Sequence, residues 1–119
     1  MNNVQLMGRL TKEPELKYTE KTEVCTFVIA VDRPAKKEKE KHADFIRIIT
    51  FGKTAENCSK YLDKGLRVLV DGRIQTGRYE TNEGETVYTF DIIAGTVNFI
   101  DWKENKNDKE KDGNEVLNE

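Results

Sequence analysis

The stretch from residue 66 to residue 93, LRVLVDGRIQTGRYETNEGETVYTFDII, contains two segments in which apolar and polar residues alternate. Every second residue of the first segment is apolar or glycine: Leu66, Val68, Val70, Gly72 and Ile74. In the second segment these positions are Tyr88, Phe90 and Ile92. A period of two is typical of a strand with one buried face. Residues 77–85 between the segments are rich in turn formers, so the stretch predicts a β-hairpin.

The predicted hairpin loop carries Arg78 next to Tyr79. An aromatic ring beside a guanidinium can stack on a nucleic-acid base and pair with its phosphate. A single exposed tyrosine is also ordinary on a protein surface, where it packs on its own hairpin. The loop alone is compatible with both interpretations.

The segment ADFIRIITF, residues 43–51, predicts the third strand of the sheet. Ile46 and Ile48 fall on one face, which we assign to the core. The opposite face carries Phe45, Arg47, Ile49 and Phe51. Because burying an unpaired guanidinium is costly, we interpret this face as an outer groove that stacks bases and pairs with phosphate. The alternative is a sandwich strand whose Arg47 side chain extends past its neighbours to the solvent.

The segments before residue 43 predict two more strands. Residues 3–10 alternate in the same way, and residues 24–31 are β-branched and aromatic, while residues 16–19 form a short extended pattern. Met7 lies on the polar face of the first strand, where it either covers a neighbouring loop or forms a subunit contact.

The segments after residue 51 predict one helix and the end of the sheet. Thr54 is the expected N-cap of a helix over residues 55–62, which Gly65 ends. A last extended run covers residues 96–102. Three strands, a helix and two strands is the element order of the OB-fold, an all-β, five-stranded Greek-key barrel with one short helix between strands 3 and 4. Such barrels bind oligonucleotides or oligosaccharides.

The charge of the chain excludes a globally basic domain. Residues 103–119 contain four Lys against six Asp and Glu, which leaves 16 basic and 16 acidic residues in residues 1–102. A nucleic-acid site must therefore come from a local arrangement of cations, and its binding should be sensitive to salt.

The most positive segment is RPAKKEKEK, residues 33–41, with five cations and two carboxylates. Pro34 stops the preceding strand, so the segment predicts a loop. It is either a solvated excursion or a clamp for phosphates, in which case Arg33, Lys36 and Lys37 are candidate DNA contacts.

Few residues suggest other chemistry. Cys25 and Cys58 lack metal-binding spacing and are expected to be small buried side chains, and His42 is the only histidine. We therefore expect no metal, no cofactor and no enzyme activity. The chain shows no signal peptide and no membrane span, so a cytoplasmic location is expected.

The segment from residue 103 to residue 119 has only Val116 and Leu117 as apolar residues. This is too little to offset the entropy lost on ordering it. We expect an OB-fold domain over residues 1–102 and a disordered acidic tail over residues 103–119.

Three blocks of the chain resemble the bacterial single-stranded DNA-binding protein family over residues 1 to about 102. They are MNNVQLMGRLTKEPELKYT, DFIRIITFGKTAENCSKYLDKG and VDGRIQTGRYETNEGETVYT. The resemblance implies sequence-independent binding and protection of single-stranded DNA in replication, recombination or repair, by a homotetramer. It implies stacking groups and phosphate contacts at these positions: Phe45, Phe51, Tyr79, Arg47, Lys53, Lys64 and Arg78.

Two features depart from the family pattern. Some members carry a tryptophan in the loop after strand two, where this chain has Ala35 or its neighbours. The tail ends NEVLNE, without the acidic, proline- and phenylalanine-bearing tip that recruits other proteins, so the resemblance leaves replication or repair partners open.

Two other OB-fold classes are alternatives. An adaptor of the primosome type joins proteins and need not expose Phe45, Phe51 and Tyr79. A secreted oligosaccharide-binding domain is expected to carry a signal peptide and a disulfide, and neither pattern is present in the sequence.

Overall fold

The computed structural model describes residues 1–34 and 42–103. They form β1 (Val4–Leu10), β2 (Glu15–Tyr18), β3 (Glu23–Asp32), β4 (Ala43–Phe51), α1 (Gly52–Tyr61), β5 (Arg67–Glu80) and β6 (Thr86–Phe99). Lys36, Lys37 and the predicted tail after residue 103 lie outside the described residues. Within them, no helix is long and apolar enough to cross a membrane.

Five of the strands close into a ring. The sheet runs β1-β5-β6-β4-β3, with β2 on the far side of β3, and the end of β1 also pairs with β3. That closing contact joins Arg9 to Ala30 and Leu10 to Ile29. All neighbours are antiparallel except β4 and β6. The predicted all-β, five-stranded OB-fold barrel is confirmed, with its helix between β4 and β5, and the extended pattern at residues 16–19 forms the additional edge strand β2.

The core fills the inside of this ring with residues two apart along each strand. The large side chains that are fully buried are Leu10, Ile29, Ile48, Leu62, Val68, Val70 and Ile92. Among the residues that the structure describes, Thr50 is the one buried polar residue. Its hydroxyl donates to the carbonyl oxygen of Cys25 at 2.9 Å. The buried polar group is therefore satisfied, as close packing requires.

The helix begins earlier than the sequence predicted. α1 starts at Gly52, whose φ of +64° favours glycine, and Thr54 lies inside the helix rather than at its N-cap. No side chain caps the helix at Phe51. Gly65, also at positive φ, belongs to the turn before β5 instead of ending the helix.

The hairpin has longer strands and a shorter loop than predicted. β5 continues to Glu80 and β6 begins at Thr86, so Arg78 and Tyr79 are paired strand residues. The loop is residues 81–85, in which Thr81 donates its N–H to the carbonyl oxygen of Glu85. From Gln75 to Glu80 both faces of the strand are mostly polar, so the alternation of apolar and polar residues gave no strand signal beyond Ile74.

The two last predicted extended segments form one strand. The β5–β6 register shifts at Asp71 and Gly72, because β6 carries the extra residue Gly95 between the partners Ala94 and Thr96. Such a bulge changes which residues face inward. It accounts for the break that separated residues 88–93 from residues 96–102 in the sequence pattern.

Barrel closure generates a stability prediction at Gly8, where β1 passes beside β3. A Cβ on Gly8 would lie 2.5 Å from the backbone oxygen of Ala30, so the strands must shift to admit it. We expect Gly8→Ala to cost about 1–3 kcal/mol and to lower the Tm by about 4–8 °C per kcal/mol. Thermal unfolding followed by circular dichroism measures the change.

The matched control is Gly95→Ala, where the nearest atom to the new Cβ is the Asp71 oxygen at 3.6 Å, an ordinary contact. It should melt close to the parent chain. Equal melting temperatures for Gly8→Ala and Gly95→Ala would contradict this account of closure.

Candidate nucleic-acid interface

The outward face of β4 exposes two phenyl rings. Ile48 is buried in the barrel, so the residues that alternate with it point outward. Phe45 is 71 % exposed and Phe51 is 46 % exposed. Rings this large are normally buried, and both stand on a strand that is hydrogen-bonded to neighbours on either side. The face is a rigid platform of aromatic surface.

Arg47 lies between the two rings on the same face. Its guanidinium contacts the Asp91 carboxylate of β6 at 3.5 Å, and the Arg47 side chain is 53 % exposed. An exposed ion pair at this distance contributes little to stability. Asp91 therefore orients the guanidinium while leaving it able to pair with an incoming phosphate.

Small side chains of β3 flank the platform. Val24, Val28 and Ala30 are the cross-strand partners of Phe51, Arg47 and Phe45. Paired residues of antiparallel strands lie on the same face, so the larger β4 side chains rise above this row. The result is an open surface on which flat groups can reach the rings.

The hairpin brings Tyr79 to the same outer face. Ile49 of β4 pairs with Ile93 of β6, and Ile93 pairs with Arg73 of β5. Tyr79 is six residues from Arg73 and thus on its face of the ribbon, with its side chain 57 % exposed. Phe45, Arg47, Phe51 and Tyr79 share one face of one sheet.

Arg78 does not share that face. As the residue preceding Tyr79 in a paired strand, it points to the opposite side of the ribbon, across from Tyr88. The sequence interpretation, which put both side chains together in a loop, was wrong on this point. Residues 75–80 carry no alternation of apolar and polar residues that could have corrected it.

Arg33 is held by a carboxylate. Its Nε and Nη2 atoms donate to Asp44 at 2.7–3.1 Å, and the hydrogen bond from Arg33 holds the pKa of Asp44 below its usual range. The Arg33 N–H also donates to the carbonyl oxygen of His42 at 2.9 Å. These contacts join Arg33, after the end of β3, to the start of β4.

The remaining predicted cations lie near the helix. Lys53 is in the first turn of α1, 82 % exposed, with its amine 3.5 Å from Glu56. Lys64 is exposed in the turn after α1, next to Gly65, which is hydrogen-bonded to Leu10 of β1. Lys64 therefore lies where the end of β1 meets the turn before β5. Lys36 and Lys37 fall outside the described residues.

Sequence periodicity missed the exposure of two aromatic side chains on β6. Tyr88 and Phe90 continue the inward alternation of Ile92, yet they are 74 % and 54 % exposed. The hairpin extends past the end of the barrel at this point. The face that is core at Ile92 is open to solvent at Phe90.

The described residues form no metal site and no reactive thiol. No group of three or more metal-ligating side chains occurs within residues 1–34 and 42–103. Burial raises the pKa of the Cys25 thiol to about 11 and that of the Cys58 thiol to about 12. Both side chains pack between α1 and the sheet.

Comparisons with known proteins agree with this geometry. A family model described as the single-strand binding protein family matches residues 1–100. The chain is 45 % identical to "Single-stranded DNA-binding protein 3" of Clostridium acetobutylicum, over 97 % of this chain and 85 % of that protein. It is 49 % identical to "Single-stranded DNA-binding protein 3" of Listeria innocua, over 88 % of this chain and 67 % of that protein.

A solved structure shares the fold. "Plasmodium falciparum SSB complex with ssDNA" superimposes with a TM-score of 0.77 at 29 % identity, covering 85 % of this chain and 96 % of that chain.

Proposed function

The chain belongs to the single-strand binding protein family, and from this premise we propose that its domain of residues 1–102 binds single-stranded DNA with little sequence preference. The observation that carries the proposal is the outer face of β4, where Phe45 and Phe51 stand exposed on either side of Arg47. Bases stack on the two rings and on Tyr79, while the guanidinium pairs with the phosphate backbone.

The chemistry of this face explains both the preference for single strands and the indifference to sequence. Every base has a flat π-face, so stacking accepts all four, and a duplex keeps its bases stacked on each other. The platform carries no Asn or Gln, whose amides would read adenine through a paired donor and acceptor. The protein acts by binding and protecting the strand, without a catalytic step.

The processes served by this binding are those that expose single strands, namely replication, recombination and repair. A cytoplasmic, nucleoid-associated location follows from the same proposal. Lys53, Lys64, Arg33, Lys36 and Lys37 are proposed as further phosphate contacts along the path of the strand.

We expect Phe45→Ala to weaken binding of a labelled oligo-dT by roughly five- to a hundredfold, since one base stack is worth about 1–3 kcal/mol. The parent chain should bind oligo-dT much more tightly than the matching duplex. Fluorescence anisotropy at low and moderate salt measures both.

Tyr18→Ala is the matched control, because Tyr18 is an exposed ring on β2 that pairs with Glu23, and Glu23 alternates with Val24, the partner of Phe51, so the Tyr18 side chain points to the opposite face. It should bind like the parent chain. Equal affinity for oligo-dT and duplex, or equal loss from the two variants, would refute the proposed site.

We propose that the protein is a homotetramer assembled in part through β1. Within the part of the chain that the structure describes, β1 is paired only on its β5 side from Val4 to Gly8, because pairing with β3 starts at Arg9. Such an unpaired edge is normally covered. Met7, 52 % exposed, stands opposite Leu69 on the outer face of β1 and β5, which gives this surface an apolar centre.

Analytical ultracentrifugation at micromolar concentration should give four times the chain mass of 13.7 kDa. Met7→Lys should shift the distribution toward smaller species, because it places a charge at the apolar centre of the contact. The control Lys17→Ala, an exposed side chain of β2, should leave the mass unchanged. A parent chain that sediments as a monomer rules out this assembly.

A further inference from the structure

The hairpin leaves the barrel as a free two-stranded ribbon. The pairing of β5 with β1 ends at Gly72, and the pairing of β6 with β4 involves Ile92 and Ile93. Among the described strands, residues 75–80 and 86–91 therefore pair only with each other. At about 3.3 Å per residue, the paired ribbon extends roughly 20 Å beyond the barrel, with both faces accessible.

The face of this ribbon opposite Tyr79 carries a second set of aromatic and basic side chains. Arg78 is the cross-strand partner of Tyr88, and Thr76 is the partner of Phe90. These side chains line an open groove of about 560 Å³ together with Gly77 and Thr89. Among the described residues, Arg78 forms no salt bridge, in contrast to Arg33, Arg47 and Arg67.

The two rings have a spacing suited to successive flat groups. Tyr88 and Phe90 are two residues apart on one face, so their attachment points are separated by about 6.8 Å. The guanidinium of Arg78 stands beside the first ring. Two exposed rings beside one guanidinium are also found on the platform on β4, where the guanidinium of Arg47 contacts Asp91.

The free edge of β5 connects the two faces. Tyr79 and Arg78 are consecutive residues, so a strand bound at Tyr79 reaches Arg78 by crossing a single edge of the ribbon. That edge has no neighbouring strand past residue 74, apart from the contact of Asn2 with Ile74. Its unpaired backbone N–H groups can donate to phosphate oxygens as the strand passes.

We propose that bound single-stranded DNA continues from the β4 platform over the edge of β5 and stacks bases on Tyr88 and Phe90, with Arg78 pairing a phosphate. This second stacking site rests on the proposed function and extends the path of the same ligand. Toward the tip of the hairpin, the path does not extend past Arg78. Glu80 follows on the same face, and Glu83 and Glu85 make the tip acidic.

A nucleic-acid strand fits this face better than a second copy of the chain. Covering the face with an apolar protein surface would bury the guanidinium of Arg78 without a charged partner, which is costly. A phosphate provides that partner. Thr76 and Arg78 also lie across from the two rings, so about half of this surface is polar. Bases can stack on the rings while the neighbouring polar side chains form hydrogen bonds.

The test compares the double variant Tyr88→Ala/Phe90→Ala with the full-length parent chain. Both proteins are titrated with oligo-dT of about 4 nucleotides and of about 16 nucleotides, which are the ends of the range that one OB-fold covers. We expect the double variant to bind the longer oligonucleotide at least tenfold more weakly and the shorter one within about twofold of the parent. Tyr18→Ala, which removes a ring with the same 74 % exposure from β2, should change neither.

Three results would overturn the proposal. They are unchanged affinity of the double variant for the longer oligonucleotide, equal weakening at both lengths, and a fall in the oligomeric mass of the double variant, which would show that a second copy covers the face. Phe45→Ala is measured in parallel, and it should weaken both lengths. If Phe45→Ala changes neither, the platform on β4 fails as the binding site independently of the hairpin.

Discussion

The closing contact between β1 and β3 is the constraint on which the rest of the structure depends. Two residue pairs, Arg9 with Ala30 and Leu10 with Ile29, turn a sheet into a ring. A closed ring has an inside and an outside, so each strand must assign alternate residues to one or the other. On β4, Ile48 points into the core. Phe45, Arg47 and Phe51 point outward and are not needed to fill it.

An exposed ring is a favourable binding group because the barrel, and not the ring, provides the stability. Leaving Phe45 and Phe51 in solvent does not weaken the core, because the core is filled by the aliphatic residues behind them. Burying their apolar surface against a base then contributes to binding alone. The contact of Asp91 with Arg47 also favours binding, since it limits the positions of the guanidinium before the ligand arrives.

Periodicity predicted the barrel because its central strands alternate between core and solvent over their full length. The same reasoning failed where no core is present. Residues 75–80 are polar on both faces, so the sequence suggested a loop, and Arg78 and Tyr79 were placed together although the structure puts them on opposite faces. Tyr88 and Phe90 continue an inward pattern past the end of the barrel, and only the three-dimensional extent of β1 and β4 reveals that neither strand covers them. The role of each predicted contact residue in DNA binding remains a prediction.

A crystal structure of the full chain with bound oligo-dT tests the central claim most directly. The account predicts bases stacked on Phe45 and Phe51 and a phosphate oxygen within hydrogen-bond distance of the Arg47 guanidinium. A strand bound instead across the outer face of β1 and β5 at Met7 and Leu69, or along α1, with Phe45 and Phe51 left in solvent, would contradict it.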